Sequence, residues 1–287
     1  MTPKVCILAG GLGTRLSEET TVKPKPMVEI GGRPMLWHIM KLYSSFGFND
    51  FVVALGYKGE SIKDYFINYA QMSADLSIDI KSGITKTTRS RVEPWKVDLI
   101  DTGLHTLTGG RVRRLCEHVG KGTILMTYGD GLADVDIAKL LEFHRSHGKM
   151  ATVTAVIPPA RFGALCFEGD RVEAFQEKPV GGDGWINGGF FVLDTRVADY
   201  IRRDDVHFEQ DPLRELARDG QLMGFRHHGF WHCMDTLRDV RALEQMWADG
   251  VAPWSVWNRV APIESEANNE PSILARKEGL PNGPHRV

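Results

Sequence analysis

Lys4-Val5-Cys6-Ile7-Leu8-Ala9-Gly10-Gly11-Leu12-Gly13-Thr14-Arg15-Leu16 runs from five apolar residues straight into glycines. Val5 to Ala9 has the length and β-branched content of a buried strand, and glycine then lets the chain turn and its N–H groups gather at the strand's carboxyl end. Working outward, Pro34 to Phe46 is predicted to be a helix, with Met35, Leu36, Ile39, Met40 and Tyr43 on one face. Phe51 to Leu55 follows as a second buried strand, and Glu60 to Tyr69 as a second helix with Ile62, Tyr65, Phe66 and Tyr69 at helical spacing. Strand, helix, strand, helix at this spacing predicts a right-handed parallel sheet with helices on both faces. Ligands bind such sheets beyond the carboxyl ends of the strands, where the glycines lie. The loop is not a dinucleotide fingerprint, because Leu16 stands at the third glycine position. Nor is it a Walker loop, because no Gly-Lys-Ser/Thr follows.

Further along, Lys81 to Arg91 carries Lys81, Lys86, Arg89 and Arg91 without an acid and reads as a solvated hairpin or loop, or as a contact surface for a partner subunit or ligand. Thr123 to Thr127 is a strand running into Tyr128-Gly129-Asp130-Gly131. Asp134 is expected to cap a helix bearing Ile137, Leu140, Leu141 and a surface His144. Strands are expected at Ala151 to Ile157, Ala164 to Phe167, Arg171 to Phe175 and Gly189 to Asp194, and a helix around Val240, Leu243 and Trp247. From Asn258 to Val287 the chain has four prolines and no Phe, Trp or Tyr, and adds nothing to a core. The expected organisation is one domain over 1–257, with a nucleotide-binding half at 1–130, a sugar-binding half at 131–257, and a tail at 258–287.

Thirty-five Lys and Arg stand against 37 Asp and Glu, a formal net charge of −2, with 42% hydrophobic residues. That excludes a nucleic-acid-coating protein, which needs a basic excess, and a disordered acidic chain, which lacks such apolar content. No apolar run approaches the ~18 residues of a membrane span, and Val5 to Ala9 is too short for a signal-peptide core. Cys6, Cys116, Cys166 and Cys233 are far apart with no CxxC pair, which fits reduced thiols and a cytoplasmic location.

Cations follow the glycines: Arg15, then Lys23-Pro24-Lys25-Pro26, where alternate prolines forbid a helix and are expected to hold the lysines on extended backbone. A surface turn with solvated lysines is the alternative. Gly10-Gly11-Leu12-Gly13-Thr14-Arg15-Leu16 with Lys23-Pro24-Lys25-Pro26-Met27 resembles the signature of the sugar-1-phosphate nucleotidyltransferases. Tyr128-Gly129-Asp130, Phe175-Gln176-Glu177-Lys178-Pro179 and Asn187-Gly188-Gly189 recur in family order. Arg91-Val92-Glu93-Pro94-Trp95, Thr108-Gly109-Gly110-Arg111 and Met234-Asp235-Thr236-Leu237-Arg238-Asp239 resemble the branch that uses CTP and glucose-1-phosphate. Glu18 and Glu19 stand where the wider family usually has a proline. The resemblance implies an α/β, Rossmann-like, doubly wound, mixed but mostly parallel sheet of the nucleotide-diphospho-sugar transferase type.

It also implies attack of a sugar-1-phosphate oxygen on the α-phosphorus of the triphosphate, giving CDP-glucose and pyrophosphate. Two polyanions must meet, so positive charge and oriented N–H groups carry such catalysis. Arg15 and Lys25 would be the catalytic cations. Leu8, Ala9, Gly10, Gly11, Leu12, Gly13 and Thr14 would hold the nucleotide through their main chain, with Asp130 alongside. Thr106, Gly110 and Arg111 would lie at the base. Arg111 there offers donors that suit the O2 and N3 acceptors of cytosine and oppose the N3–H of uracil or thymine. Lys178 would hold the sugar phosphate, Glu177 and Asn187 the sugar hydroxyls, and Gly163, Gly188 and Gly189 would leave room for the ring. Asp130 and Asp235 are the Mg2+ candidates, since Mg2+ takes one or two carboxylates and completes its shell with phosphate and water. Each aspartate also has a plain reading as a cap of a turn or helix.

The resemblance further implies a homo-oligomer, a hexamer among the states it allows, while the charge balance and the lack of a membrane-length apolar run imply no nucleic-acid or membrane partner. The competing readings are a uridylyl- or thymidylyltransferase and a non-catalytic sugar-nucleotide-binding regulator of the same fold. His227, His228, His232 and Cys233 match no common zinc spacing, and Phe230-Trp231 suggests a packed strand edge.

Overall fold

In a computed structural model, residues 2–13, 16, 20–88, 92–158, 164–168, 171–176 and 184–258 are described. Thr14, Arg15, Gly163, Glu177 and Lys178 lie outside the described residues, as do Glu18, Glu19 and the tail from 259 onward. Seven strands form the central sheet: β1 (Lys4–Leu8), β2 (Asp50–Leu55), β3 (Lys96–Asp101), β4 (Thr123–Tyr128), β5 (Ala151–Val156), β6 (Ile186–Asp194) and β7 (Leu222–His227). Their order is β7-β5-β6-β4-β1-β2-β3. Every pair is parallel except those made by β6, which runs antiparallel to both β4 and β5.

The alternation of side chains along each strand builds two cores. Val5 and Ile7, Phe51 and Val53, and Phe190 and Val192 point to one face with helices α1 (Met35–Ser44) and α4 (Ile137–His147). Cys6 and Leu8, Val52 and Ala54, and Phe191 and Leu193 point to the other, under α3 (Thr108–Val119) and α5 (Asp211–Arg218). Both faces are therefore buried, which is why these strands read as unbroken apolar runs. Helix α2 (Gly59–Met72) joins β2 to the hairpin described below, and α6 (Leu237–Ala248) contributes Leu243 to the first core. The chain grows outward from β1 through β2 to β3, then returns to place β4 on the other side of β1. That reversal opens a crevice at the carboxyl ends of β1 and β4.

The Lys81 to Arg91 region belongs, over its described part, to an exposed hairpin of Asp75–Asp79 and Ile84–Thr88, as the solvated-hairpin reading expects. Several other local expectations change. Asp136, not Asp134, caps α4, accepting from the Lys139 N–H at 3.0 Å. Asp134 instead accepts from the Phe230 N–H at 2.7 Å and lies 3.0 Å from the His227 ring. His144 is buried rather than on the surface, its Nδ1 2.9 Å from the Thr152 hydroxyl. Lys25 is not on extended backbone: Lys25–Met27 is a turn of 3-10 helix behind an extended Pro24. Pro26 fits there because a first-turn residue has no N–H partner to lose.

Candidate active site

The crevice is a cavity of about 940 Å³. Its first wall is the glycine loop. Ala9 continues the β1 ladder with a hydrogen bond to the Ala54 carbonyl at 3.0 Å, and the Gly129 N–H reaches the Leu8 carbonyl at the same distance, so the ends of β1, β2 and β4 are tied together. Two glycines are dictated by what surrounds them. A Cβ on Gly10 would collide with the Arg111 guanidinium, whereas Gly13, with φ of +62°, sits where a side chain is strained and would meet Thr20 Cγ2 at 2.8 Å. Gly11 has nothing within 4 Å and leaves its backbone open to the cavity. Leu8, Ala9, Gly10, Gly11, Leu12 and Gly13 all line it.

Beside the loop, the Lys25 ammonium donates to Asp130 at 2.8 Å and to Asp235 at 2.6 Å. Lysine 25 is largely buried, its side chain 12% exposed. Burial alone would pull its pKa down, but the charge of Asp130 and the hydrogen bonds to both carboxylates outweigh it and hold the group above its ordinary value, so it stays an ammonium. Lys23, two residues away, forms a pair with the exposed Glu29 at 3.1 Å, so of the two lysines Lys25 is the one turned into the cavity. The capping alternative for Asp235 also falls away. Thr236 caps α6, its hydroxyl accepting from the Asp239 N–H at 3.3 Å in a capping box. Asp235 is thereby left to face the cavity.

Asp130, Cys233 and Asp235 can each offer a ligand atom within 4.8 Å of one another. Burial pushes the Cys233 thiol up, which leaves the two carboxylates as the charged donors. A pair of oxygen donors opening onto this cavity fits a divalent cation, with phosphate and water completing the shell.

Arg111 lines the cavity but differs from the expectation of donors free to read a base. It is 4% exposed, and its terminal amino groups donate to the Leu55 carbonyl (2.9 Å), the Thr102 hydroxyl (2.5 Å), the Gly10 carbonyl (3.0 Å) and the Leu104 carbonyl (3.4 Å). In this geometry it staples the glycine loop to β2 and to residues 102–104. Gly110 is not among the residues that line the cavity: a Cβ there would meet Thr106 Cγ2 at 2.6 Å and the Asp204 Cα and carbonyl oxygen at 2.8 Å. Thr106 does line the cavity and accepts from Arg114 at 3.2 Å. Arg111→Met is therefore expected to take a donor from each of three carbonyls and a hydroxyl and to loosen the loop they join, costing roughly 3 kcal/mol and lowering the melting temperature by roughly 6–10 °C. Activity with every triphosphate should fall together. A loss confined to CTP, with the melting temperature unmoved, would return Arg111 to the base.

The opposite wall comes from β6. Asn187, Gly188 and Gly189 line the cavity next to Tyr128. Gly189 has φ of +81° and packs so closely on the Tyr128 ring that a Cβ would lie 2.5 Å from it, while the Gly188 carbonyl accepts from the Trp231 indole at 2.7 Å. Trp231 is thus pocket wall. The three histidines near it do not converge: His227 pairs with Asp134, His228 stacks edge-on against Trp185, and His232 lies 3.0 Å from the Cys233 carbonyl. Glu209 escaped sequence reasoning: it accepts from the Tyr128 and Thr108 hydroxyls at 2.5 and 2.6 Å and sits in no spacing that marks it. Cys233, weighed from sequence only with the histidines, joins the two aspartates instead.

The nucleotidyl transferase family profile matches residues 4–249. The glucose-1-phosphate cytidylyltransferase of Salmonella typhi is 54% identical over 255 residues, covering 88% of this chain and 99% of that protein. A Bacillus subtilis protein named probable glucose-1-phosphate cytidylyltransferase is 44% identical over the same length, covering 88% of this chain and all of its own. Among solved structures, HddC from Yersinia pseudotuberculosis superposes with a TM-score of 0.64 at 26% identity, over 86% of this chain and 100% of that one. With a profile spanning most of its length and full-length relatives well above 30% identity, the chain belongs to the nucleotidyl transferase family.

Proposed function

We infer that this chain is an enzyme that transfers CMP from CTP to glucose-1-phosphate, releasing pyrophosphate. The observation that carries the reading is the Lys25 ammonium held between Asp130 and Asp235 at the edge of a glycine loop, in a cavity with room for both substrates. The identity to proteins of that name supports the choice of CTP and glucose.

A phosphate monoester has a second pKa near 6, so the attacking oxygen needs no protein base at neutral pH. The work left to the protein is charge and position. The backbone of Gly10 to Gly13 receives the triphosphate. Lys25 lies where it can move from the aspartates to the phosphates and meet the charge that develops around the α-phosphorus. Asp130 and Asp235 would hold Mg2+, which when bound neutralises part of the triphosphate charge. Asn187, Gly188 and Gly189 form the sugar side. Arg15, Thr14, Glu177, Lys178 and Gly163 keep the roles their motif positions imply. Gly110, turned toward Asp204, supports α3 instead.

The test is direct. Purified protein with Mg2+ and glucose-1-phosphate is given CTP, UTP, dTTP, ATP or GTP separately, and pyrophosphate and sugar nucleotide are measured. CTP should give the fastest turnover. Faster turnover with UTP or dTTP would overturn the cytidylyl assignment, and no turnover with any triphosphate would leave the regulator reading in its place.

A further inference from the structure

Glu209 lines the cavity and has no part in the chemistry above, yet three polar side chains around it are ordered by a single rule of hydrogen-bond direction. Its Oε1 accepts from the Tyr128 hydroxyl at 2.5 Å and its Oε2 from the Thr108 hydroxyl at 2.6 Å. An ionised carboxylate can only accept, so both hydroxyl protons point at Glu209. Having given away its proton, the Tyr128 oxygen can only accept, and the group 3.1 Å away is Asn187 Nδ2. Thr108 likewise accepts, from the Phe208 N–H at 2.9 Å. The Asn187 carboxamide is fixed from its other end as well, because the Gly189 N–H donates to its Oδ1 at 2.8 Å. Nitrogen and oxygen of this amide are thus decided by their neighbours' polarity.

We propose that Glu209 is a positioning residue for sugar recognition: acting through Tyr128, it sets which face of the Asn187 carboxamide meets the sugar hydroxyls. The proposal rests on the reaction inferred above. Tyr128, Asn187 and Glu209 all line the cavity, and Asn187 is exposed to it. Tyr128 cannot swing away, since its ring is pressed on Gly189 and lies edge-on to Phe191 at 5.9 Å. Burial, with the adjacent Glu209 charge, pushes the Tyr128 phenol up, so it remains a donor across the working pH range. Held this way, Asn187 keeps, among the described residues, one N–H and one oxygen lone pair unused, a donor beside an acceptor, which suits hydroxyls of a pyranose. A site built on such a pair rejects an analogue lacking the hydroxyl far better than an apolar pocket does, because its own polar groups are then left unpaired.

The experiment compares wild type with Glu209→Gln, which keeps the shape but adds a donor, and with Tyr128→Phe, which cuts the relay without touching Glu209. Both are assayed with glucose-1-phosphate and its mono-deoxy analogues. KM for glucose-1-phosphate should rise about tenfold in each, KM for CTP should change less than twofold, and the preference for glucose over one deoxy analogue should shrink. The double variant should be no worse than either single one, since Glu209 acts only through Tyr128. Equal rises in both KM values, an unchanged deoxy preference or additive effects would overturn the proposal. Calorimetric binding of glucose-1-phosphate to wild type and Glu209→Gln runs in parallel and does not depend on turnover. If no triphosphate reacts but the binding weakens about tenfold, the reaction reading falls while the positioning role stands; equal binding by the two proteins sinks the positioning role itself.

Discussion

Lys25→Met should cut turnover by on the order of 10³-fold, which corresponds to about 4 kcal/mol of lost transition-state stabilisation. Among the described residues, the ammonium it removes lines the cavity with two side-chain carboxylates as partners able to release it, whereas Arg111 is bound to three carbonyl oxygens and a hydroxyl. The same change has a signature in stability. Asp130 and Asp235, 32% and 15% exposed, would face each other without the charge between them, and two carboxylates at that range favour sharing a proton. In wild type the folded pKa of Lys25 is raised, so its contribution is complete below the unfolded value near 10.5 and fades only as pH rises through the folded value. Wild-type melting should therefore owe no slope near neutrality to Lys25. The variant should melt closer to wild type at pH 5 than at pH 8, and added Mg2+ should close the gap at pH 8. Pyrophosphate release and melting curves at the two pH values decide it; turnover within tenfold of wild type would remove Lys25 from the chemistry.

Asp130→Asn separates activity from stability. The asparagine oxygen can still accept from Lys25, and the Asp235 pair at 2.6 Å persists, so the melting temperature should move by no more than about 3 °C. One of two charged oxygen donors for the cation is gone, however, and turnover should fall by on the order of 10³-fold with weaker Mn2+ binding measured by electron paramagnetic resonance in the presence of CTP. Unchanged Mn2+ affinity would take Asp130 out of the cation site. A collapse of the melting temperature would show the aspartate to be mainly structural.

How much of this was legible depended on how local each signal is. Strands β1, β2, β4 and β5 and helices α1 and α2 announce themselves through runs or faces of apolar residues, and each is found within three residues of its expected bounds. Strand β3, with Lys96, Asp98 and Asp101 among its six residues, reads as polar because it is an edge strand, half-buried and paired on one side by β2. Helix α3 was hidden by Gly109 and Gly110, which look like a ligand loop. They are glycines because the helix packs against Val206 and Asp204 with no room for a Cβ. His144 misled for the converse reason: a polar residue on a helix can be buried when a partner such as the Thr152 hydroxyl waits for it.

Apolar periodicity by itself determined that this chain makes a sheet buried on both faces with a glycine loop at its carboxyl edge, because alternation and burial are properties of neighbouring residues. Motif resemblance added the candidates Lys25, Asp130, Asp235 and Asn187. Only the tertiary structure decided that three of them meet: Lys25 lies 105 residues from Asp130 and 210 from Asp235, and the contact exists because β4 returns beside β1 and the Trp231–Cys233 strand pairs with Gly131–Ala133. It likewise turned Arg111 toward carbonyl oxygens and gave Glu209 its place. The partners of a buried charge and the direction of a hydrogen bond are set by which atoms close packing brings within 3 Å, and no spacing along the chain encodes that distance.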